Sequence, residues 1–273
     1  MKKKNLTLES KNLPLVTVIM NCHNGQKFLK EAVQSILNQT YTKFELIFFN
    51  NFSSDQSENI VKSFNDERIK YYNSEKFLKL YEARNEAIKR SSGEFISILD
   101  TDDLWENNKI EKQLNFFQKN KNAKILYTNY YILKDFKNER KLFLKTKKPS
   151  GKITQELLNS YSIGINTIMI KRSIFSSYNF NSDYTIIGDF DFFINCSLEN
   201  HIYYLDLPLA HYRWHGENLS NKRIDIYLNE FKKWFKFNKK KLSSLGFSFF
   251  NLRLFLIKLE IKLILKRVFR KEF

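Results

Sequence analysis

Cysteine, proline and glycine are all scarce: the 273 residues include 2 Cys, 3 Pro and 7 Gly. Cys22 and Cys196 lie far apart, with neither C-x-x-C spacing nor a nearby histidine pair. That excludes a disulfide framework and a zinc site, and fits a reducing cytoplasmic compartment. So little proline and glycine, beside 42% hydrophobic and 16% aromatic residues, excludes a disordered chain. Long apolar runs are missing as well. Charges interrupt them well short of the ~20 residues needed to cross a bilayer. Lys2-Lys3-Lys4 resembles the start of a leader, but Glu9, Ser10, Lys11 and Asn12 break what would be its apolar core. No export signal is expected.

What is present in excess is positive charge. The net charge is +17, and it is concentrated at one end: Lys222 to Phe273 holds 15 Lys+Arg against 4 Asp+Glu. A tail so basic is expected to meet an anionic partner. The length accommodates one large α/β domain, or a domain of about 200 residues with an appendage. The division expected is an N-terminal extension over 1–13, a main domain over 14–221 and a basic helical tail over 222–273.

The main domain alternates in period. Leu15 to Met20 is an apolar, β-branched run closed by Asn21-Cys22-His23-Asn24-Gly25, which predicts a buried strand and a turn. Leu29, Ala32, Val33, Ile36 and Leu37 then recur at three and four, the stripe of a helix packed on a sheet. Phe44 to Phe49 is the next strand, Ile60, Val61 and Phe64 mark a helix, and Arg68 to Tyr72 is a third strand. A helix over Leu80 to Ser91 precedes the strand Phe95 to Leu99, and a further helix is expected from Trp105. Strands and helices in this order predict an α/β fold with a mostly parallel sheet flanked by helices. Ligands of such sheets bind beyond the carboxyl ends of the strands. Asn21–Gly25, Asn50–Asp55 and Asp100–Asp103 are therefore expected to converge on one crevice.

Asp100-Thr101-Asp102-Asp103 sets three acids in four positions directly after a buried strand. Such a cluster repels itself unless it is solvated or holds a cation. All-oxygen ligands suit Mg²⁺ or Mn²⁺, which take one or two carboxylates together with substrate phosphates. The structural reading is an acidic turn that caps the following helix. A strand ending in Asp-x-Asp also fits phosphatases that form an aspartyl-phosphate, but Asp103-Leu104 follows here, on a late strand, which argues against them.

The run VTVIMNCHNGQKFLKEAVQSILNQTYTKFELIFFNNFSSD, followed by YEARNEAI, GEFISILDTDDLW, IIGDFDFF and PLAHYRWHGENLS, resembles the family 2 glycosyltransferases over Pro14 to Ser220. The resemblance implies a GT-A (Rossmann-like) fold and a nucleotide-sugar site. It implies metal binding by Asp102, with Asp100 near the ribose or the metal and Asp103 as a further acid. It places Asn24 at the nucleotide-sugar site and Arg84 beside the nucleotide. Tyr212-Arg213-Trp214-His215 matches a late Y-R-x-H element, which implies Arg213 near the donor and His215 at the metal or diphosphate. Asp189 falls on the general-base position, with Asp191 in reserve; the structural reading of either acid is a helix cap.

Two residues depart from the family pattern. Asn50 stands where an Asp commonly reads uracil, although an amide still offers both an acceptor and a donor. Gly188 stands where a Glu usually precedes the base. The implied function is metal-dependent, inverting transfer of a sugar from a nucleoside diphosphate, UDP foremost, to a hydroxyl of a glycan or lipid-linked acceptor in cell-surface polysaccharide synthesis. The alternative is a GT-A-like module that has lost catalysis and binds nucleotide or an anionic membrane surface.

In the tail, Leu254, Ile257, Ile261, Ile264 and Val268 recur at three and four, with Lys258, Lys262, Lys266 and Arg270 displaced around the helix. This predicts a basic amphipathic helix lying on an anionic membrane, making the protein peripheral on the inner face of the plasma membrane. The competing reading packs the stripe on the main domain or on a second copy in a homodimer. Nucleic acid is not expected, since no binding motif accompanies the charge.

Overall fold

A computed structural model of the chain describes residues 13–134, 139–216 and 218–269. Most of the expected N-terminal extension, Arg270 and the side chain of Val268 lie outside what is described.

The first half follows the alternation in the sequence. Strand β1 (Val16–Cys22) leads to helix α1 (Gln26–Leu37), β2 (Phe44–Asn50), α2 (Ser57–Lys62), β3 (Ile69–Asn73), α3 (Leu80–Lys89) and β4 (Phe95–Ile98). These four strands are parallel, in the order β3-β2-β1-β4. Their register aligns the carboxyl ends: Cys22 is opposite Asn50, and Asn50 is opposite Asn73.

Beyond β4 the sheet becomes mixed. A two-residue strand β5 (Leu104–Trp105) precedes α4 (Lys109–Lys119), so Trp105 pairs with Ala210 where a helix start was expected. Its indole nitrogen donates to the Asn166 carbonyl at 2.7 Å, a bond that fixes the ring in the interior. Then come β6 (Ile125–Lys134), β7 (Glu139–Leu142), α5 (Thr154–Asn159), β8 (Met169–Lys171), α6 (Gly188–Glu199) and β9 (Ile202–Arg213). Strand β8 joins β4 antiparallel, and β6, β9 and β5 extend the sheet.

Side chains alternate across β1. Val16, Val18 and Met20 belong to the core beneath α1 and α4, while Ile19 faces the core shared with α3 and α6. After α7 (Leu219–Lys222), the long helices α8 (Ile224–Ser244) and α9 (Phe250–Phe269) join this second core through Phe231, Trp234, Leu252, Leu256 and Leu259. The basic tail is therefore built into the main domain on one side. Among the described residues, no helix is long and apolar enough to cross a membrane.

Candidate active site

The strand ends open onto a cleft of about 550 Å³. Its walls bring together the end of β1 (Asn21, His23), the loop after β4 (Asp100, Asp102, Asp103), the first turns of α3 (Tyr81, Arg84) and the start of α6 (Asp189). These segments are up to 168 residues apart in sequence and meet because parallel strands present their carboxyl ends on one edge. A larger hollow of about 680 Å³, bordered by Lys89, Glu94 and Arg172, contains none of the candidate site residues.

At the acidic loop the three carboxylates separate into different roles. Asp100 Oδ1 accepts a charge-assisted bond from Arg84 Nη2 at 2.8 Å. Arg84 is buried beside the stacked Tyr81 and Phe180 rings, 5.5 Å from each centroid, and positions Asp100 from behind. Asp102 Oδ2 lies 3.0 Å from His215 Nε2. Burial raises the Asp102 pKa, and the adjacent Asp100 charge raises it further. Asp103 turns inward: Oδ1 accepts the Arg213 amide at 2.9 Å and Oδ2 accepts from Asn166 at 2.7 Å. Expected at the metal, Asp103 instead has both oxygens engaged, one tying the loop to β9 and the other to the turn at Asn166. Burial holds its pKa well above the usual carboxylate range.

The late motif packs against the same loop. Arg213 Nε donates to the Asp102 carbonyl at 2.9 Å, and Nη2 reaches Glu31 at 2.6 Å, with the guanidinium over the Phe28 ring. Arg213 thus braces the acidic loop and does not line the cleft. His215 rests on Phe28, ring centroids 5.2 Å apart, and Asn218 reaches its ring nitrogen at 3.3 Å.

The two acids of α6 diverge. Asp189 lines the cleft; Tyr161 donates to its Oδ2 at 3.2 Å, and Tyr81 approaches Oδ1 at 3.4 Å. Burial raises the Asp189 pKa, against the backbone bond from Phe190. Asp191, one-half turn further on, faces α8 and accepts from Trp234 Nε1 at 2.8 Å. The expected reserve base is therefore a tie between α6 and α8 and does not border the cleft.

Asn24 and Asn50, both expected at the nucleotide, do not line the cleft among the described residues. Asn50 is buried, its amide donating to Tyr71 at 2.8 Å and its carbonyl accepting the Ser53 amide at 3.1 Å. Asn24 sits at φ 53° and accepts the Ser54 amide at 2.8 Å, joining the first two strand-end loops. A single asparagine tolerates this left-handed region, so no glycine is required there.

Four cleft residues were not singled out as site residues in the sequence. Asn21 holds both polar side-chain atoms buried without a partner, a costly state that a ligand would relieve. His23 hydrogen-bonds the Asn51 carbonyl at 2.9 Å and meets the exposed Phe77 ring edge to face. Both were legible as part of the strand-end turn. Tyr81 stands one helical turn before Arg84, a spacing that was also readable. Tyr161 comes from a loop with no motif, and only the fold brings it to Asp189.

No cluster of three or more potential ligands is preassembled among the described residues. The Asp102 carboxylate and His215 imidazole nevertheless form a mixed oxygen and nitrogen pair 3.0 Å apart at the acid loop. Their chemistry fits Mn²⁺ or Mg²⁺ completed by substrate phosphates and water.

A strand-end acid loop facing a buried carboxylate across a half-parallel sheet defines a nucleotide-sugar transferase of the GT-A type. Residues 17–178 match the model of glycosyl transferase family 2, and the chain belongs to that family. It is 34% identical over 166 residues to the Escherichia coli UDP-Glc:alpha-D-GlcNAc-diphosphoundecaprenol beta-1,3-glucosyltransferase WfgD, covering 61% of this chain and 64% of that protein. It is 30% identical over 161 residues to the putative teichuronic acid biosynthesis glycosyltransferase TuaG of Bacillus subtilis, covering 58% and 63%. The match therefore spans under two thirds of either relative. In fold the chain resembles residues 1–349 of Staphylococcus aureus TarS in complex with UDP-GlcNAc, with TM-score 0.66, 18% identity, and 81% and 66% of the two chains covered. It also resembles a Pyrobaculum calidifontis mannosyltransferase in complex with GDP-Man and Mn²⁺, with TM-score 0.61, 16% identity, and 83% and 65% covered.

Proposed function

We propose that this protein transfers a sugar, with inversion, from a nucleoside diphosphate to a hydroxyl of a glycan or lipid-linked acceptor during cell-surface polysaccharide synthesis. The observation that carries this reading is the common cleft of Asp100, Asp102 and Asp189. One carboxylate group stands ready for the donor and another, separately held, for the acceptor. UDP is the nucleotide favoured by the relatives' printed donors, UDP-Glc and UDP-GlcNAc.

In this scheme Asn21 hydrogen-bonds the donor, and the His23 and Phe77 rings offer faces beside the base. Asp102 and His215 would hold a divalent cation, which when bound would supply positive charge against the departing diphosphate. Asp100, fixed by Arg84, lies at the ribose or at the cation's shell. Asp189 accepts the proton of the acceptor hydroxyl as its oxygen attacks the anomeric carbon. The bond from that carbon to the diphosphate oxygen breaks on the opposite face, and one in-line displacement inverts the configuration. An adjoining cavity of about 220 Å³, bordered by Tyr161, Phe190, Tyr227 and Phe255, provides apolar surface on the acceptor side. Asn24, Asn50, Asp103 and Arg213 shape the loops that carry this machinery.

A thermal-shift screen of nucleoside diphosphates with and without Mn²⁺ tests the proposal, because a ligand that binds only the folded state raises its apparent stability. Metal-dependent stabilisation by UDP is the expected result. Absence of stabilisation by any nucleotide would favour a module without catalysis.

A further inference from the structure

Helix α9 is apolar on two opposite faces. Leu252, Leu256 and Leu259 are buried against the domain, with Leu263 partly buried alongside. A step of two residues turns a helix by about 200°, so Leu254 stands opposite Leu252. From there Leu254, Ile257, Ile261, Ile264 and Leu265, together with Phe250 at the helix start, form an outer stripe exposed by 41% to 67%. This is the stripe expected to be the helix's binding face, and the domain does not cover it: α9 docks on the protein through different residues. Solvating a contiguous row of this kind is unfavourable, and a monomer seldom retains one without use.

The surroundings of the stripe identify what covers it. Lys258 and Lys262 are exposed on its flank, and the neighbouring α8 exposes Lys232, Lys233, Lys236, Lys239, Lys240 and Lys241 together with Phe237. Against these stand few acids, and Glu260 is already paired with Lys232. A second copy of the same face would set these lysines against one another. An anionic lipid surface complements both features, since headgroups attract the lysines while the acyl boundary takes the isoleucines. We infer that the outer face of α9, with the exposed lysines of α8, docks this chain on an anionic membrane, the helix lying in the interface while its inner leucines remain in the domain core. The inference does not depend on the sugar-transfer chemistry.

The test uses the full chain and vesicles of phosphatidylcholine with or without phosphatidylglycerol. Wild type is expected to co-sediment with the phosphatidylglycerol vesicles and less so as salt rises. The triple substitution Ile257→Ser, Ile261→Ser, Ile264→Ser and the pair Lys258→Gln, Lys262→Gln should each weaken partitioning by about tenfold. Their melting temperatures should match wild type, because these side chains are exposed. Failure of wild type to bind, or unaltered binding by both variants, overturns the inference. So does a wild-type dimer in lipid-free buffer that the isoleucine substitutions split, with vesicle binding absent. UDP and Mn²⁺ stabilisation measured on the same variants reports separately on the donor site.

Discussion

Tyr81 occupies the space that a side chain at position 188 would need. A Cβ built on Gly188 would lie 2.5 Å from the Tyr81 ring, and the Tyr81 hydroxyl donates to the Ile186 carbonyl at 2.8 Å. The ring and the glycine are thus one packing unit, which accounts for the family's Glu being absent just before Asp189. Helix propensity favours Gly188→Ala by up to ~1 kcal/mol. Overpacking against a buried ring costs about 1–3 kcal/mol and should win. Denaturant melts should find the variant less stable, and by a smaller margin in a Tyr81→Ala background, where the clash is gone.

Asp102→Asn keeps the shape of the loop but removes the charge proposed to hold the cation. Transfer should fall by at least about a hundredfold. The Mn²⁺-dependent part of UDP stabilisation should disappear while the melting temperature without ligand changes little. Full turnover in this variant would remove Asp102 from the metal site.

The two acids of α6 should respond differently. Asp189→Asn is expected to bind donor normally and to lose transfer. Asp191→Ala leaves the buried Trp234 N–H without its acceptor and should cost about 1–3 kcal/mol of stability. The folded fraction of Asp191→Ala should still transfer sugar. Donor titration and denaturant melts of the two variants separate these effects.

As a base, Asp189 works only when ionised. Burial raises its pKa above the ordinary carboxylate value of 3.8, so kcat/KM should rise with pH through a limb above that value. The Tyr161 hydroxyl bond opposes the rise by favouring the carboxylate. Tyr161→Phe should therefore move the acidic limb to still higher pH, and an unmoved limb would separate Tyr161 from the base.

Asn50 donates to Tyr71 and accepts from Ser53 within its own turn. Asn50→Asp should leave the preference among nucleoside diphosphates unchanged, as read by thermal shift. A shift towards UDP would return Asn50 to the role of base reader.

The alternation of strands and helices up to β4 was legible because each element buries one face, and burial imposes its period on the residues. The acid loop was legible for a related reason: three carboxylates directly after a buried strand repel one another unless they are solvated or hold a cation. Strand β5 was not, since two residues carry no period and Trp105 is held by Asn166 and Ala210 from elsewhere in the chain. Nor could spacing separate Asp189 from Asp191. Two residues on one helix differ in role only through what packs on either side, here the cleft and Trp234.

By itself the sequence determined the strand and helix alternation of the first half, the motifs of the family and the excess of charge in the tail, because these follow from local pattern and composition; that the sheet turns mixed beyond β4 did not follow from it. Tertiary structure decided which acid meets the cleft, why position 188 is glycine, and which stripe of α9 stays uncovered. Each of those depends on contacts between segments far apart in the chain, and no local period encodes them.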